Sequence, residues 1–423
     1  MNESSGALDK GGAGGIDLSR IRTIDGVDVD GKRVLVRVDF NVPIEGGAVA
    51  DATRITRVLP TIAKLAGQGA KVVVLSHLGR PKGVPTPETS LRPVAAKMQE
   101  LLPGTNVHFI PASTGDEAKR GIDALKPGDV AVLENLRYHK GEENNDKEFA
   151  KALAALGDIY VNDAFSSAHR AHASVEAIVD LLPAYAGLLM MAEISALGRA
   201  LEMPERPVMA IVGGAKVSTK IEALTNLVTR MDQLVVGGGM ATTFLLAQGK
   251  EVGTSLCEPD FVATAKEIMA LADRSGCEIV LPIDEVVAMK LEENAESWIC
   301  PVDEVPADAM ILDAGPQSLA NLKRRLAGVR TVLWNGPLGA FETKPFGEGT
   351  LALAREVARL TREGRLLSVA GGGDTVRALN DAGVGSDITY VSTAGGAFLE
   401  WLGGHDLPAV LALSRSGARA ACG

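Results

Sequence analysis

The stretch PVMAIVGGAKVSTK, residues 207–220, decides the fold. Apolar residues run without interruption from Val208 to Val212 and close on Gly213 and Gly214. A polar, lysine-bearing segment follows. A continuous apolar run of this length indicates a strand covered on both faces, as in a parallel sheet, because a half-exposed strand would alternate. Glycines at its end, ahead of a helix, let backbone N–H groups approach an anion while the helix dipole favours negative charge.

The same grammar recurs on both sides of this stretch. Upstream lie VLVRVDF (34–40), KVVVLSH (71–77), VHFI (107–110), DVAVLEN (129–135) and DIYVND (158–163). Downstream lie QLVVGGG (233–239), EIVLPID (278–284), MILDAG (310–315), TVLWNG (331–336), LLSVAGG (366–372) and ITYVST (388–393). Helix-like stretches separate them, which implies right-handed βαβ crossovers. A chain of 423 residues exceeds what one core usually serves. The expectation is an α/β protein with two doubly wound, Rossmann-like parallel sheets joined by a hinge helix. The strand series breaks between about 164 and 206, where LPAYAGLLMMAEISALGRALEMPERP reads as one long helix ending near Pro204 and Pro207. The expected divisions are a disordered tail (1–20), a first domain (21–186), a connector helix (187–206), a second domain (207–403) and a C-terminal segment (404–423) packing back on the first domain.

A net charge of −10 argues against nucleic-acid and membrane-surface partners. An acidic chain that binds an anion must gather its cations locally. Cys257, Cys277, Cys300 and Cys422 show neither CxxC nor metal-ligand spacing, so a reducing, cytoplasmic setting is expected. The N-terminal MNESSGALDKGGAGG is polar and glycine-rich, with no apolar stretch for a signal peptide.

Ligands of open α/β sheets sit outside the carboxyl ends of strands. In the first half those ends carry Asp39 and Asn41, then His77 and Arg80, then Arg137, then Asp163, His169, Arg170 and His172, with Arg54 on a nearby loop. Single arginines of this kind commonly form surface ion pairs. Several converging on one rim suit a ligand with phosphate and carboxylate groups, since a guanidinium donates in a bidentate fork. In the second half the ends are VGGAKVSTK (212–220), VGGGMATT (236–243), WNGPLGAFE (334–342), AGGGDT (370–375) and STAGGAF (392–398). One such loop is ordinarily a tight turn; five on one face indicate a nucleotide polyphosphate site. Lys216 and Lys220, four apart, are expected on the first turn of one helix. Asp374 can cap its helix, ligate Mg²⁺, or both. Neither GxxxxGK[ST] nor GxGxxG occurs, which removes the P-loop enzymes and weakens a NAD-dependent dehydrogenase.

Taken together, KRVLVRVDFNVP, DATRI, LSHLGRPKG, LENLRYHKGEE, NDAFSSAHRAHAS, VGGAKVSTK, VGGGMA, LWNGPLGAFE, GGGDT and YVSTAGGAFLE resemble the phosphoglycerate kinase family, in its order, from about residue 21 to about 411. The resemblance implies reversible phosphoryl transfer between ATP and the carboxylate of 3-phosphoglycerate, in glycolysis, by a monomer with Mg²⁺. It implies that 3-phosphoglycerate meets Asp39, Phe40, Asn41, Arg54, His77, Leu78, Gly79, Arg80, Arg137 and Arg170. The nucleotide would meet Gly214, Lys216, Lys220, Gly238, Asn335, Glu342, Gly371, Gly372, Gly373, Asp374 and Thr375, with Asp374 the metal ligand. Arg54, Lys216, Gly373 and Gly396 would carry the catalysis. Ser166, Thr219, Thr242, Ala394 and Phe398 depart from the family's commonest residues, and none of these changes removes a proposed charge. A carboxylate acceptor is already ionised, so no general base is needed; positioning and charge neutralisation remain, with closure to bring the two ligands together. The competing reading is a non-catalytic phospho-ligand binder of the same fold.

Overall fold

The structure, a computed structural model, describes residues 18–421. Most of the expected disordered tail (1–17) lies outside the described residues, whereas Leu18–Arg20 forms a 3₁₀ turn. The chain divides into two compact units: the residues up to Ile194 with those from Asp406 onward, and Ser195–His405.

In the first unit the strands are β1 (Arg33–Arg37), a small hairpin of β2 (Ile44–Glu45) and β3 (Ala48–Val49), β4 (Lys71–Leu75), β5 (Val107–Ile110), β6 (Val130–Leu133), β7 (Ile159–Asn162) and β8 (Ala184–Ala186). Six of them form one parallel sheet, ordered β5-β6-β4-β1-β7-β8. Central β1 pairs Leu35 with Val73 and with Tyr160. The strand interiors are buried on both faces, which is why VLV and VVV run without alternation. Helix Thr53–Gly67 lays Ile55, Val58, Ile62 and Leu65 on this core at helical spacing. Each such side chain contributes roughly 1.5–3 kcal/mol by burial. The C-terminal helix Pro408–Ala421 belongs to this unit; Gly417 lies so close to the Arg20 carbonyl that a Cβ there would meet its oxygen at 1.7 Å.

The second unit holds β9 (Val208–Gly213), β10 (Gln233–Gly237), β11 (Glu278–Val280), β12 (Asp284–Ala288), β13 (Ser297–Pro301), β14 (Met310–Ala314), β15 (Thr331–Asn335), β16 (Leu367–Gly371) and β17 (Tyr390–Ser392). Its parallel sheet is ordered β11-β10-β9-β15-β16-β17. The chain winds outward from β9, then returns to build the other side from β15. The winding reverses between β9 and β15, where such sheets bind ligands.

Three segments depart from the sequence reading. EIVLPID is two strands rather than one: Pro282 cannot donate to a ladder, and the chain leaves the sheet there. MILDAG does not join the parallel sheet; β14 pairs antiparallel with β12 in a three-stranded sheet, β13-β12-β14. The presumed long helix between 164 and 206 is broken up. It contains β8, a helix over Leu188–Leu197 and a π-helical turn over Gly198–Glu202. Three residues make too short an apolar run for β8 to show as a strand by periodicity.

Asp163, at the end of β7, is 1% exposed. Its Oδ1 accepts a hydrogen bond from Met190 N at 2.9 Å, while its Oδ2 has no partner. Burial raises its pKa to about 6. The folded state therefore holds this proton more tightly than the unfolded chain does, and stability is lost as pH rises from about 4 to about 6. Asp163→Asn should remove that loss, worth about 3 kcal/mol at most. Urea midpoints of the two proteins should separate in favour of the variant across this pH range; parallel pH profiles would contradict the assignment.

Candidate active site

At the carboxyl end of the first sheet, Asp39 follows β1 and is almost buried. Its Oδ2 accepts from Arg54 at 2.7 Å and from the Ser166 hydroxyl, and its Oδ1 accepts from Asn41 N at 2.9 Å. Burial opposes its ionisation, but Arg54 and these hydrogen bonds prevail and hold the carboxyl below its usual range. Asn41 Oδ1 accepts from Gly79 N at 2.8 Å, and Gly79 has a φ of +63° that favours glycine. The loop carrying His77 and Arg80 is thereby fixed to the end of β1. Arg137 follows β6 through a 3₁₀ turn capped by Asn135; its NH1 donates to Gly79 O at 2.7 Å and its Nε lies 3.3 Å from Glu143. Arg170 donates to His169, and Arg80 is exposed with neither an ion pair nor a hydrogen bond among the described residues.

Beneath this rim lies Arg37, a guanidinium with no solvent exposure. It donates to Ser174 Oγ at 2.8 Å, to Val38 O, and at 3.1 Å to His77 Nδ1; Glu142 lies 4.0 Å away. Glu142 in turn accepts from Ser174 Oγ at 2.6 Å and Ser174 N at 3.0 Å. Since Arg37 can only donate, His77 Nδ1 must accept, and the ring proton sits on Nε2. Burial, then the charges of Arg37, Arg137 and Arg170, hold the His77 pKa well below its ordinary value despite Asp39. His77 is a neutral donor.

In the second unit the reversal point is built by backbone contact. Gly213 ends β9 against Gly336, whose φ is +109°, and a Cβ on Gly336 would meet Gly213 O at 2.1 Å. Lys220 donates to Gly213 O at 2.7 Å and to Asn335 Oδ1 at 2.6 Å, and burial lowers its pKa to about 8. Asn335 Nδ2 donates to Gly371 O at 2.9 Å, and Gly336 N donates to Thr375 Oγ1 at 2.7 Å. These bonds hold three strand ends in one arc. Helices Gly373–Asp381 and Gly395–Leu402 begin there, with Gly373, Asp374, Gly395 and Gly396 exposed. Their first amides lack partners within the helix, and they favour an anion. Lys216 is exposed; its carbonyl accepts from Thr219 Oγ1 at 2.8 Å, and its ammonium has neither a hydrogen bond nor an ion pair among the described residues. A cavity of about 320 Å³ adjoins these loops, with Gly214, Gly238, Leu312, Leu338, Glu342 and Asp374 in its lining.

The sequence reading needs several adjustments. Lys216 and Lys220 do not share a helical turn: a 3₁₀ turn over Val217–Thr219 separates them, and only Lys220 borders helix Ile221–Val228. The side chains of Phe40 and Leu78 belong to the core, leaving only their backbones for a ligand. Thr375 and Asn335 tie strand ends together. Glu342 pairs with Arg377, both more than half exposed. Ala394 has a φ of −95°, so the lost glycine causes no strain, and Phe398 packs under Gly371. Ser166 puts its hydroxyl on Asp39. Arg37, Glu142 and Glu285 were missed; for Arg37 and Glu285 the available signal was a charge inside the apolar runs VLVRVDF and IDEVVA, while Glu142 lies in the polar YHKGEENN and gave none.

Comparison with known proteins gives one consistent result. The family model described as phosphoglycerate kinase matches residues 24–405. A phosphoglycerate kinase of Methylorubrum extorquens (strain PA1) is 60% identical over 95% of this chain and 100% of its own length. That of Chelativorans sp. (strain BNC1) is 58% identical over 94% of the chain and 100% of its own. Among solved structures, phosphoglycerate kinase from Coxiella burnetii superposes with a TM-score of 0.87 at 42% identity, covering 93% of this chain and 99% of that one. The enzyme from Pyrococcus horikoshii OT3 superposes with a TM-score of 0.78 at 30% identity and the same coverage.

Removing Glu142 would strand the Arg37 charge in the interior. Glu142→Ala should cost about 3–5 kcal/mol, the scale for breaking one side of a buried pair. Glu143→Ala, at a partly exposed pair, should cost under about 1 kcal/mol. Urea unfolding of both variants checks this; equal losses would contradict the role given to Arg37.

Proposed function

The chain belongs to the phosphoglycerate kinase family, and on that premise we propose how its own residues carry the reaction. The enzyme transfers a phosphoryl group reversibly between ATP and the carboxylate of 3-phosphoglycerate, giving ADP and 1,3-bisphosphoglycerate. The observation that carries the assignment of parts is the pair of unlike donor sets, arginines at one sheet's carboxyl end and glycine amides at the other's.

3-Phosphoglycerate binds the first unit. Arg80, Arg137 and Arg170 receive its phosphate, and His77 offers its Nε2–H. Asp39, held ionised, orients the hydroxyl, and Arg54 faces the carboxylate. ATP binds the second unit, with its phosphates on the first amides of helices Gly373–Asp381 and Gly395–Leu402. The Lys216 ammonium is held in no ion pair among the described residues, although it feels the Glu258 charge, and it is free to follow the phosphoryl as it moves between oxygens. Lys220, held by three backbone and side-chain oxygens, shapes the phosphate loop. A carboxylate nucleophile needs no base, and the neutral state of His77 agrees with a donor role only.

Mg²⁺ is expected with the nucleotide. Asp374 is an exposed carboxylate beside the phosphate-binding amides, and no group of three or more His, Cys, Asp or Glu stands ready to hold a metal among the described residues. One protein carboxylate with phosphate oxygens and water suits Mg²⁺, which keeps much of its hydration. Its bound charge would offset that of the phosphates, and Asp374 would hold it. Transfer then requires a hinge-bending closure that brings both ligands together, with the 187–206 segment as connector. A monomer acting in glycolysis in the cytoplasm is the setting we infer; no helix among the described residues is long and apolar enough to cross a membrane. A non-catalytic binder of the same fold is not favoured by these relatives.

Lys216→Ala should lower kcat by about 10²–10³ while nucleotide affinity changes much less, since its charge acts chiefly on the transition state. Steady-state kinetics with calorimetry separates the two effects. A kcat near wild type would remove Lys216 from the mechanism.

A further inference from the structure

We propose that Glu258 is a positioning residue for the transfer step: it fixes the turn that presents Lys216 to the phosphoryl group. The inference rests on the reading of Lys216 as the charge that follows the phosphoryl. Lys216 cannot place itself. Its side chain is exposed and flexible, so the reach of its ammonium is set by where its backbone is anchored. The residue is extended, with φ −136° and ψ 128°, and the 3₁₀ turn over Val217–Thr219 follows at once. That turn holds itself weakly. It has the bond from Lys220 N to Val217 O at 2.9 Å and the bond from Thr219 Oγ1 to Lys216 O at 2.8 Å. Its first amides need an acceptor from elsewhere in the chain.

Glu258 supplies that acceptor. Its carboxylate clasps the turn twice: Oε2 accepts from Ser218 N at 2.9 Å, and Oε1 accepts from Ser218 Oγ at 2.7 Å. Hydrogen bonds to an ionised acceptor are the strong ones. The partners lie 40 residues apart, so this is a contact built between two loops, not a local cap. The anchor is itself held. Glu258 N donates to Thr243 Oγ1 at 3.0 Å, and Leu256 O accepts from Thr242 Oγ1, which fastens Leu256–Glu258 to helix Gly239–Ala247. That helix is locked in turn to the loop after β9. Met240 N donates to Gly214 O at 3.0 Å, and a Cβ on Gly239 would meet Ala215 O at 2.6 Å. Burial opposes ionisation of Glu258, but Ser218, the Val217 amide and the Lys216 charge hold its carboxyl below the ordinary range. Its charge therefore reaches Lys216 without forming an ion pair with it. A carboxylate in contact with the ammonium would compete with the phosphoryl; one that grips the adjoining turn orients the lysine and leaves its charge available.

The test is steady-state kinetics of Glu258→Ala and Glu258→Gln on the full chain, alone and combined with Lys216→Ala. Glu258→Ala should lower kcat by roughly 10–100-fold, the scale of a misplaced catalytic group, with KM for ATP and for 3-phosphoglycerate within about threefold of wild type. Glu258→Gln keeps an acceptor for Ser218 N, and its amide can donate to the Ser218 hydroxyl, so it should recover most of the loss. Once Lys216 is alanine, adding Glu258→Ala should lower kcat by less than about twofold, because the residue it positions is gone. A loss of the same size in both backgrounds would make Glu258 a structural residue only and overturn the proposal. So would a rise in KM with kcat unchanged, or a Glu258→Gln protein as slow as Glu258→Ala. Lys216→Ala alone separates the two levels. If it is slow while Glu258→Ala runs at the wild-type rate, the role of Lys216 stands and the positioning role fails; if Lys216→Ala itself runs at the wild-type rate, both fail.

Discussion

A guanidinium that never meets water has to be satisfied wholly by protein, and Arg37 is satisfied by groups from four separate stretches of the first unit. Val38 lies on its own strand end, His77 on the loop after β4, and Ser174 with Glu142 on loops after β7 and β6. Burying this charge is expensive unless all of these partners are in place. The same bonds hold the loops in register, so the rim of Arg80, Arg137 and Arg170 inherits its geometry from a residue with no solvent exposure. Arg37 also decides the tautomer of His77, and hence which ring nitrogen faces Asp39.

The second unit meets the same demand by different means. The anion site proposed there is mainly backbone, and the packing of glycines against backbone makes this possible. Gly213 and Gly336 touch across the reversal of the winding, where a single methyl group would collide. Lys220 and Asn335 then lace the loops after β9, β15 and β16 into one arc. In a chain with a net charge of −10, both solutions keep positive character local, at strand ends. The buried acids Glu285 and Asp313 belong to the opposite regime, where desolvation favours the neutral form.

Much of this was legible in the chain itself. Unbroken apolar runs announced parallel strands because the sheets are covered on both faces, and the residues just past those runs announced the rims. What stayed hidden depended on tertiary partners. β8 is too short to carry a period, Pro282 separates β12 from the parallel sheet, and β14 is antiparallel only through its pairing with β12. The helical pairing expected of Lys216 and Lys220 failed because their spacing fits a helix, but the chain turns through 3₁₀ geometry first. Arg37 and Glu142 sit far apart in sequence, and only the fold shows that each requires the other.

The central claim is that two donor sets, each on its own unit, serve two different ligands. Calorimetric titration of Arg80→Ala and Arg170→Ala with 3-phosphoglycerate, and separately with Mg-ADP, tests it most directly. The account predicts that 3-phosphoglycerate binding weakens by about 1.5–3 kcal/mol in each variant, the scale of hydrogen bonds to charged groups, while Mg-ADP binding stays as in the wild type. Equal losses for both ligands, or a loss confined to the nucleotide, would contradict it.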